Sequence, residues 1–590
     1  MNLNKNFSLW SSKDYFVATI LCFILGVIPL VVRFFEVPVN SDELLLIRAS
    51  TNTNDIFSYA KSILIIISTS VLLLYFISDA ITSDDYFDFK SLFYNPVVIA
   101  SSVFIVMTLL TFIFSDFKQT NIHGFSERYE SIFILFAYFI IFFSVFHFVS
   151  NLFKLKVILS AILFSAFIIT FIGITQLVGD DILLSSFGTR YILGIVSGLN
   201  ASGVFSAIYG TLFNPNAVGA YASMLLPLTL IIGLALKENL ILKSLLLLCS
   251  VCMLVLLIGS GSVGGFFSIS LTAILAVFLF AFMKRRFLHA LVISLAIISI
   301  VFFVPPVKSQ FDNVISKFTS YHNNVNSFIF NDIRRNGDRI EIFHRNGMFS
   351  LSFDSSEQDV LFFDNDNNRI FLTEDSTLHV PNLGSVSFVH SQNDFYLSYS
   401  NNIFAFSIQD GSLHTIGRFG DIIDLDTPFP SFGFSGHELF ASSRGYIWSR
   451  SLPLIKDFIF LGAGADSFAL VFPQNDIVGK LNFFGDSFII IDKPHNFFLQ
   501  TAINTGFISL LALLFIFTYY LFTTFKSFFS RSIFVVGDND NFLLYLRFAC
   551  FLSVFAYLVS SLSTDSSVSV SPIFWAVLGL GFAANKLSNN

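Results

Sequence analysis

The run AVGAYASMLLPLTLIIGLAL occupies residues 217–236, twenty residues without a charge. At a rise of about 1.5 Å per residue, such a run reaches about 30 Å as a helix, the thickness of a bilayer's hydrocarbon core. Working outward from it in both directions, similar apolar runs occur at residues 15–32, 59–77, 97–114, 132–149, 157–173, 241–258, 263–283, 290–304, 498–522, 543–562 and 572–584. The expected fold class is therefore an all-α polytopic membrane protein with about 12 transmembrane helices. Composition agrees: of 590 residues, 54% are hydrophobic, 12% are charged and 79 are Phe. A soluble domain carries about 25% charged residues, so a single water-soluble globule is excluded.

Between the ninth and tenth runs the texture changes. Residues 339–353 (RIEIFHRNGMFSLSF), 359–373 and 385–416 alternate apolar and polar positions, with clusters of Asn, Asp and Gly between them. That period of two predicts antiparallel strands joined by tight turns, with tips at Asp364–Asn367 and Gln409–Gly411. Phe343, Phe349 and Phe353 are expected to build its core. A small all-β domain thus interrupts the helices. The net charge of -7 belongs to this segment: residues 308–444 hold 17 Asp/Glu and 9 Lys/Arg, while the remainder is nearly neutral. The division expected is a membrane domain over 1–306, a β-rich insert over 307–442, a loop over 443–496 and a second membrane part over 497–590.

Thirteen lysines and arginines, among them Lys13, Lys154, Lys156, Lys243 and Lys526, fall on one side of this topology, and far fewer fall in the short loops opposite. By the positive-inside rule both termini are cytoplasmic, the β insert and the 443–496 loop are outside, and the first run is a retained helix. Cys22, Cys249, Cys252 and Cys550 all lie in apolar runs and read as small buried hydrophobes.

Three outer constellations carry chemistry. In YGTLFNPNAVG (residues 209–219), Asn214, Pro215 and Asn216 open a helix; the pattern fits a plain cap or a polar N-terminus aimed at an anion. His495, in DKPHN beside Lys493 and Asn496, stands where the chain re-enters the membrane, and imidazole suits a base working near neutral pH. Arg128, Arg190 and Arg444 sit in separate outer loops, and guanidinium grips phosphate through two N–H groups. Asp364, Asp366 and Asn368 imitate the start of a calcium loop, but Arg369 stands where it needs Gly, so a hairpin turn is expected.

These residues resemble the O-antigen ligase and O-antigen polymerase superfamily of bacterial membrane glycosyltransferases. The resemblance runs through HGFSERYES (123–131), YGTLFNPNAVGAYASMLLPL (209–228), SRGYIW (443–448), GAGADSF (462–468) and DKPHNFFLQTAINTG (492–506), leaving out the β insert and the last two spans. It implies a GT-C-like membrane fold and an inverting glycan transfer, without metal or cofactor, from an undecaprenyl-diphosphate-linked oligosaccharide to an acceptor glycan or lipid-linked glycan. Carried over by position, His495 orients or deprotonates the acceptor and Arg444 holds the departing diphosphate. Arg128 and Arg190 attach to the same anion, and Asn214, Asn216, Asp466, Lys493 and Asn496 complete the substrate-binding set. A Ser-Arg-Gly/Ala signature common in the family is replaced here by Ser262, Val263 and Gly264. Expected partners are these glycans and membrane lipid, and no nucleic acid. The rival classes are a transporter or flippase of lipid-linked oligosaccharide and a membrane-anchored glycan sensor.

Overall fold

The computed structural model describes residues 10–46, 51–82, 94–195, 208–284, 312, 329–391, 394–400, 402–417, 420–427, 429–528 and 538–589. Helices α1 (Ser12–Cys22), α2 (Tyr59–Thr82), α3 (Pro96–Phe114), α4 (Lys118–His123), α5 (Ile132–Phe148), α6 (Leu152–Val178), α7 (Pro215–Ala235), α8 (Leu240–Ser260) and α9 (Val263–Lys284) precede a β region. After it come α10 (Phe440–Leu454), α11 (Phe468–Val471), α12 (Ile477–Phe484), α13 (Phe497–Thr505), α14 (Phe507–Phe528), α15 (Asp538–Ser560) and α16 (Ser571–Asn589).

Among the described residues, nine helices are long and apolar enough to cross a membrane, three fewer than the runs in the sequence. The run at 290–304 lies outside the described residues. The run at 132–149 folds as α5, 17 residues long and shorter than a full span. The run at 572–584 becomes α16, whose last turns carry Asn585, Lys586 and Ser588. A further difference concerns 498–522, which is not one helix. Gly506, at φ +97°, takes a backbone conformation that residues with a Cβ avoid, and it separates the short α13 from the spanning α14. This break leaves α13 to carry its polar side chains inward next to the loop that holds His495.

The run quoted first sits at the centre. Helix α7 has 72% of its spanning window buried and packs against α8, α9 and α15. Pro215 occupies its first turn, where no N–H partner is lost, and Asn214 caps it by accepting from the Ala217 N–H at 2.8 Å. Elsewhere the lipid-facing stripes stay apolar, as at Leu74, Ile113 and Leu248.

The β region begins after a small early hairpin of β1 (Phe35–Pro38) with β2 (Asn52–Asp55). Strands β3 (Phe330–Asn336), β4 (Arg339–His344), β5 (Gly347–Asp354), β6 (Asp359–Phe363) and β7 (Arg369–Ile370) form one antiparallel meander. Strands β8 (Thr377–Val380), β9 (Gly384–Ser391), β10 (Asp394–Tyr399), β11 (Asn402–Gln409) and β12 (Ser412–Thr415) form a second. One apolar core joins the two sheets, with Phe330, Phe349, Phe395 and Phe406 fully buried in it and Ile477 and Leu481 of α12 closing one side. The hairpin tips fall as the turn residues predict. Asp364 accepts from the N–H groups of Asp366 and Asn368, and Asp410 and Gly411 both take positive φ between β11 and β12. The assignment of Phe343 to the core is corrected by the register. Ile342 pairs with Phe349 on the inner face, which turns Phe343 outward opposite Met348, where Arg334 stacks over its ring.

Candidate functional site

Four loops meet around a cavity of about 70 Å³. They are the loop before α5, the entry to α7, the loop before α13 and the loop between α15 and α16. Five of the nine site residues expected from the sequence line it: Arg128, Asn214, Asn216, Lys493 and His495. Three residues on its wall, Glu127 (φ +68°), Phe213 (φ +89°) and His495 (φ +51°), are held in the left-handed region without being glycine. Each such residue costs on the order of 1–3 kcal/mol and persists only where its surroundings dictate it. The cavity thus concentrates backbone strain.

The surroundings of His495 explain its posture. Trp448 of α10 donates its indole N–H to the Pro494 carbonyl at 2.8 Å, and the Asn496 side chain caps α13 by accepting from the N–H groups of Phe498 and Leu499. Between these anchors, Nδ1 of His495 lies 3.2 Å from Oδ2 of Asp565. The other oxygen of Asp565 accepts from the Asn496 N–H at 3.1 Å. Burial pushes the Asp565 carboxyl up, but the bond from His495 and the charges of His495, Arg128 and Lys493 outweigh it and bring it down to about 2. A carboxylate at Nδ1 keeps the proton of a neutral imidazole on that nitrogen and leaves the Nε2 lone pair for another partner.

Arg128 is 7% exposed. Its Nε lies 2.7 Å from Oδ1 of Asp466, and Nη2 is 3.6 Å from Glu130. Neither Nη1 nor Nη2 makes a hydrogen bond among the described residues, although the side chain lines the cavity. Burial disfavours its charge, but Asp466, Asp565 and Glu130 more than offset this and raise its pKa. Lys493 sits 3.0 Å from Asp492; burial opposes its charge, and Asp492 and Asp565 prevail and raise its pKa. Two cations with spare donors therefore face one small polar space beside an imidazole. That arrangement suits an anion.

The other expected residues lie apart from the cavity wall. Asp466 works from behind: besides Arg128 it accepts from the N–H groups of Phe125 and Glu130, folding the HGFSERYES loop around GAGADSF. Asn496 is a helix cap, and so is Asn214, although the latter also lines the cavity. Arg444 follows three left-handed residues, 441–443, at the start of α10 and is buried, its side chain making no hydrogen bond among the described residues. Burial lowers its pKa and Asp565 resists, which places it within electrostatic reach of the dyad but not on the cavity wall. Arg190 is not brought in at all. The turn Gly188–Leu193 buries Leu193 against Val32 and Tyr209, which leaves Arg190 on the exposed side over the Tyr191 ring.

Several site residues escaped the sequence reading. Asp565 lies in the serine-rich loop STDSS (563–567) between the last two helices, and a lone acid in such a loop was its only signal. Glu127 was visible beside Arg128, and burial raises its pKa while Lys493 lowers it. Glu130 is fully enclosed: it accepts from Tyr138 Oη and Ser566 Oγ, each at 2.6 Å, and from Gln500 Nε2 at 3.0 Å. Through Ser566 it pins the Asp565 loop. Lys61, in a spanning helix, reaches Ser569 Oγ at 3.1 Å and the Thr211 carbonyl, tying the same loop to the entry of α7. The departure at Ser262–Gly264 falls next to this loop too, since a Cβ on Gly264 would meet Ser563 Oγ at 2.0 Å.

No curated protein and no solved structure matches the chain. A family model described as O-Antigen ligase matches residues 395–514, which contain Arg444, Asp466, Lys493, His495 and Asn496 but neither Arg128 nor Asp565. The match supports a part in surface-polysaccharide assembly and suggests glycosyl transfer. Residues 395–514 thus match the O-Antigen ligase family model, a likeness that supports the O-antigen ligase/polymerase family.

Proposed function

We propose that the protein transfers a glycan from an undecaprenyl-diphosphate carrier to an acceptor hydroxyl at the outer face of the cytoplasmic membrane, in polymerisation or attachment of a surface polysaccharide. In this reading both termini are cytoplasmic, and the cavity and the β region face outward. The observation that carries it is the His495–Asp565 pair, 3.2 Å apart, on the same cavity wall as Arg128 and Lys493.

The acceptor oxygen attacks the anomeric carbon of the sugar joined to the diphosphate. Its proton passes to Nε2 of His495, and the imidazolium that forms is stabilised by Asp565. The bond from the anomeric carbon to the diphosphate oxygen breaks with its electron pair going to that oxygen, and attack from the face opposite the diphosphate inverts the configuration. Charge accumulates on the diphosphate, and the free Nη groups of Arg128 and the ammonium of Lys493 take it up as side-chain cations, with no metal required. The primary anion-holding role thereby moves from Arg444 to Arg128; Arg444 contributes field from behind the dyad. Because Arg128 and Lys493 supply positive charge here, the valine in place of the signature arginine is compatible with transfer.

The test is consumption of a polyprenyl-diphosphate glycan by the purified protein in detergent without an ion gradient. His495→Ala is expected to lower turnover by about 10²–10⁴-fold while eluting as the wild type does. Wild-type turnover in that variant would remove His495 from the mechanism, and gradient-dependent movement without bond cleavage would make the protein a transporter.

A further inference from the structure

A second concavity, about 380 Å³, lies where the end of the β region meets α12. It is larger than the cavity beside His495 and differs in lining. Asp424, Asp426, Thr427 and Phe429 form one wall, and Asn482 and Phe483 of α12 form the other, over a floor of Arg450 and Asp476.

The floor is built rather than incidental. Asp476 is 4% exposed, caps α12 by accepting from the Gly479 N–H, and receives Arg450 Nε at 2.8 Å and Tyr446 Oη at 3.0 Å. Arg450 lies over the Tyr446 ring, and its Nη2 has no hydrogen bond among the described residues. The outer wall is fastened at both ends, by the Ile423 N–H to the Thr415 carbonyl at 2.8 Å and by the Phe432 N–H to the Ser449 carbonyl at 2.9 Å. Within it, Asp424 accepts from the Asp426 N–H and from Thr427 Oγ1, which leaves the Asp426 carboxylate without a bond among the described residues. The Asn482 amide is likewise unbonded and half-buried.

Planar carboxylates and amides accept from and donate to neighbouring hydroxyls in pairs, and half-buried aromatic rings cover apolar C–H faces. A space within the range of about 300–1,000 Å³ typical of ligand sites, polar on its walls and edged by two Phe rings, matches a carbohydrate better than a lipid tail. Its position is also telling. Trp448 on α10 bonds the residue preceding His495, and Arg450, two residues further along α10, lines the groove. The same helix therefore borders both the groove and the loop that holds His495.

We propose that this groove is a glycan subsite that holds a stretch of polymer while one end of it reaches the cavity at His495. The proposal rests on the glycosyl-transfer reading for its direction and on the groove residues for its chemistry.

The probe is a set of fluorescently end-labelled fragments, one to four repeat units long, released from the source cell's own surface polysaccharide and titrated against the full-length protein in detergent. Fragments of two or more units are expected to bind. The Asp426→Asn/Asn482→Ala double variant, changed only at solvent-accessible or half-buried side chains, is expected to raise Kd at least tenfold, and Phe429→Ala at least threefold. No binding by the wild type at about 1 mM, or a double variant within twofold of wild type, overturns the subsite. If no glycan is transferred yet fragments bind through Asp426 and Asn482, the subsite stands and the transfer reading falls. If transfer proceeds and the double variant binds normally, the subsite alone falls. Comparing lipid-linked with lipid-free fragments shows whether donor or acceptor glycan occupies it.

Discussion

Around the cavity, Arg128, Glu130 and Asp466 are buried and Asp565 is half-buried, bonded to one another's loops and framed by left-handed residues; in the two sheets, Asp366 and Asp410 stand exposed at hairpin tips, the first beside a half-buried Asp364. The first group is drawn from three stretches of chain, around residues 128, 466 and 565, that meet only in the folded protein. The second is local, with the Asp364 carboxylate answering the N–H groups of its own turn. Burying charge is expensive unless it is paired, and strained backbone is expensive unless it is over-determined. The difference teaches that charge in the loops between helices is paired across distant parts of the chain, whereas charge in the sheets serves turns and solubility.

Removing a buried charge should therefore hurt far more than removing an exposed one. Arg128→Ala leaves Asp466 buried without its cation and deprives the cavity of its free Nη groups. Turnover is expected to fall by about 10²–10³-fold and stability by about 3–5 kcal/mol, read by thermal melting in detergent. Arg128→Lys keeps the charge but not the fork and should recover the fold more than the rate. A fully active Arg128→Ala would break the comparison at its strongest point.

In the sheets the largest response belongs to packing. Phe349→Ala opens the joint core and should destabilise the β region by about 3–5 kcal/mol, seen as protease cleavage within residues 329–417. Asp366→Asn at the neighbouring tip should change melting by less than about 0.5 kcal/mol.

Two carboxyls give opposite pH signatures. Glu43, bonded to Ser126 and Asn40, is pushed up to about 7 by burial first, against the bonds from Ser126 and with the charge of Asp466. Its folded form binds its proton more tightly than the unfolded chain does. The stability it contributes is therefore complete below about 4.5 and lost as pH rises through about 7, roughly 3 kcal/mol in all. Glu43→Gln should melt alike at pH 5 and pH 8, where the wild type weakens. Asp565 has the reverse sign: held at about 2, it stabilises fully above 3.8 and loses this as pH falls through about 2, some 2 kcal/mol that Asp565→Asn abolishes.

The fold was legible wherever local physics decides it. Apolar runs gave the helices and alternation gave the strands, and Asp364 and Asp410 marked turns because their side chains or neighbours satisfy the local backbone. The misses have non-local causes. Gly506 breaks a run that reads as continuous, because hydropathy does not register φ. Phe343 and Phe349 look alike in the sequence and are separated only by strand register. At the site, His495, Arg128 and Lys493 were visible as polar residues at membrane edges. Asp565 was not, since its meaning lies in a contact across seventy residues of chain, and Arg190 looked like Arg128 until the packing of Leu193 turned it outward.

The central claim is that Asp565 and His495 act as one unit on a glycosyl diphosphate. It is tested most directly by measuring turnover of a polyprenyl-diphosphate glycan by wild type, Asp565→Asn, His495→Ala and the double variant. If the pair is one unit, the double variant should be no slower than His495→Ala alone, and Asp565→Asn should lose at least tenfold with substrate binding retained. Multiplying losses in the double variant, or wild-type turnover in Asp565→Asn, would contradict it.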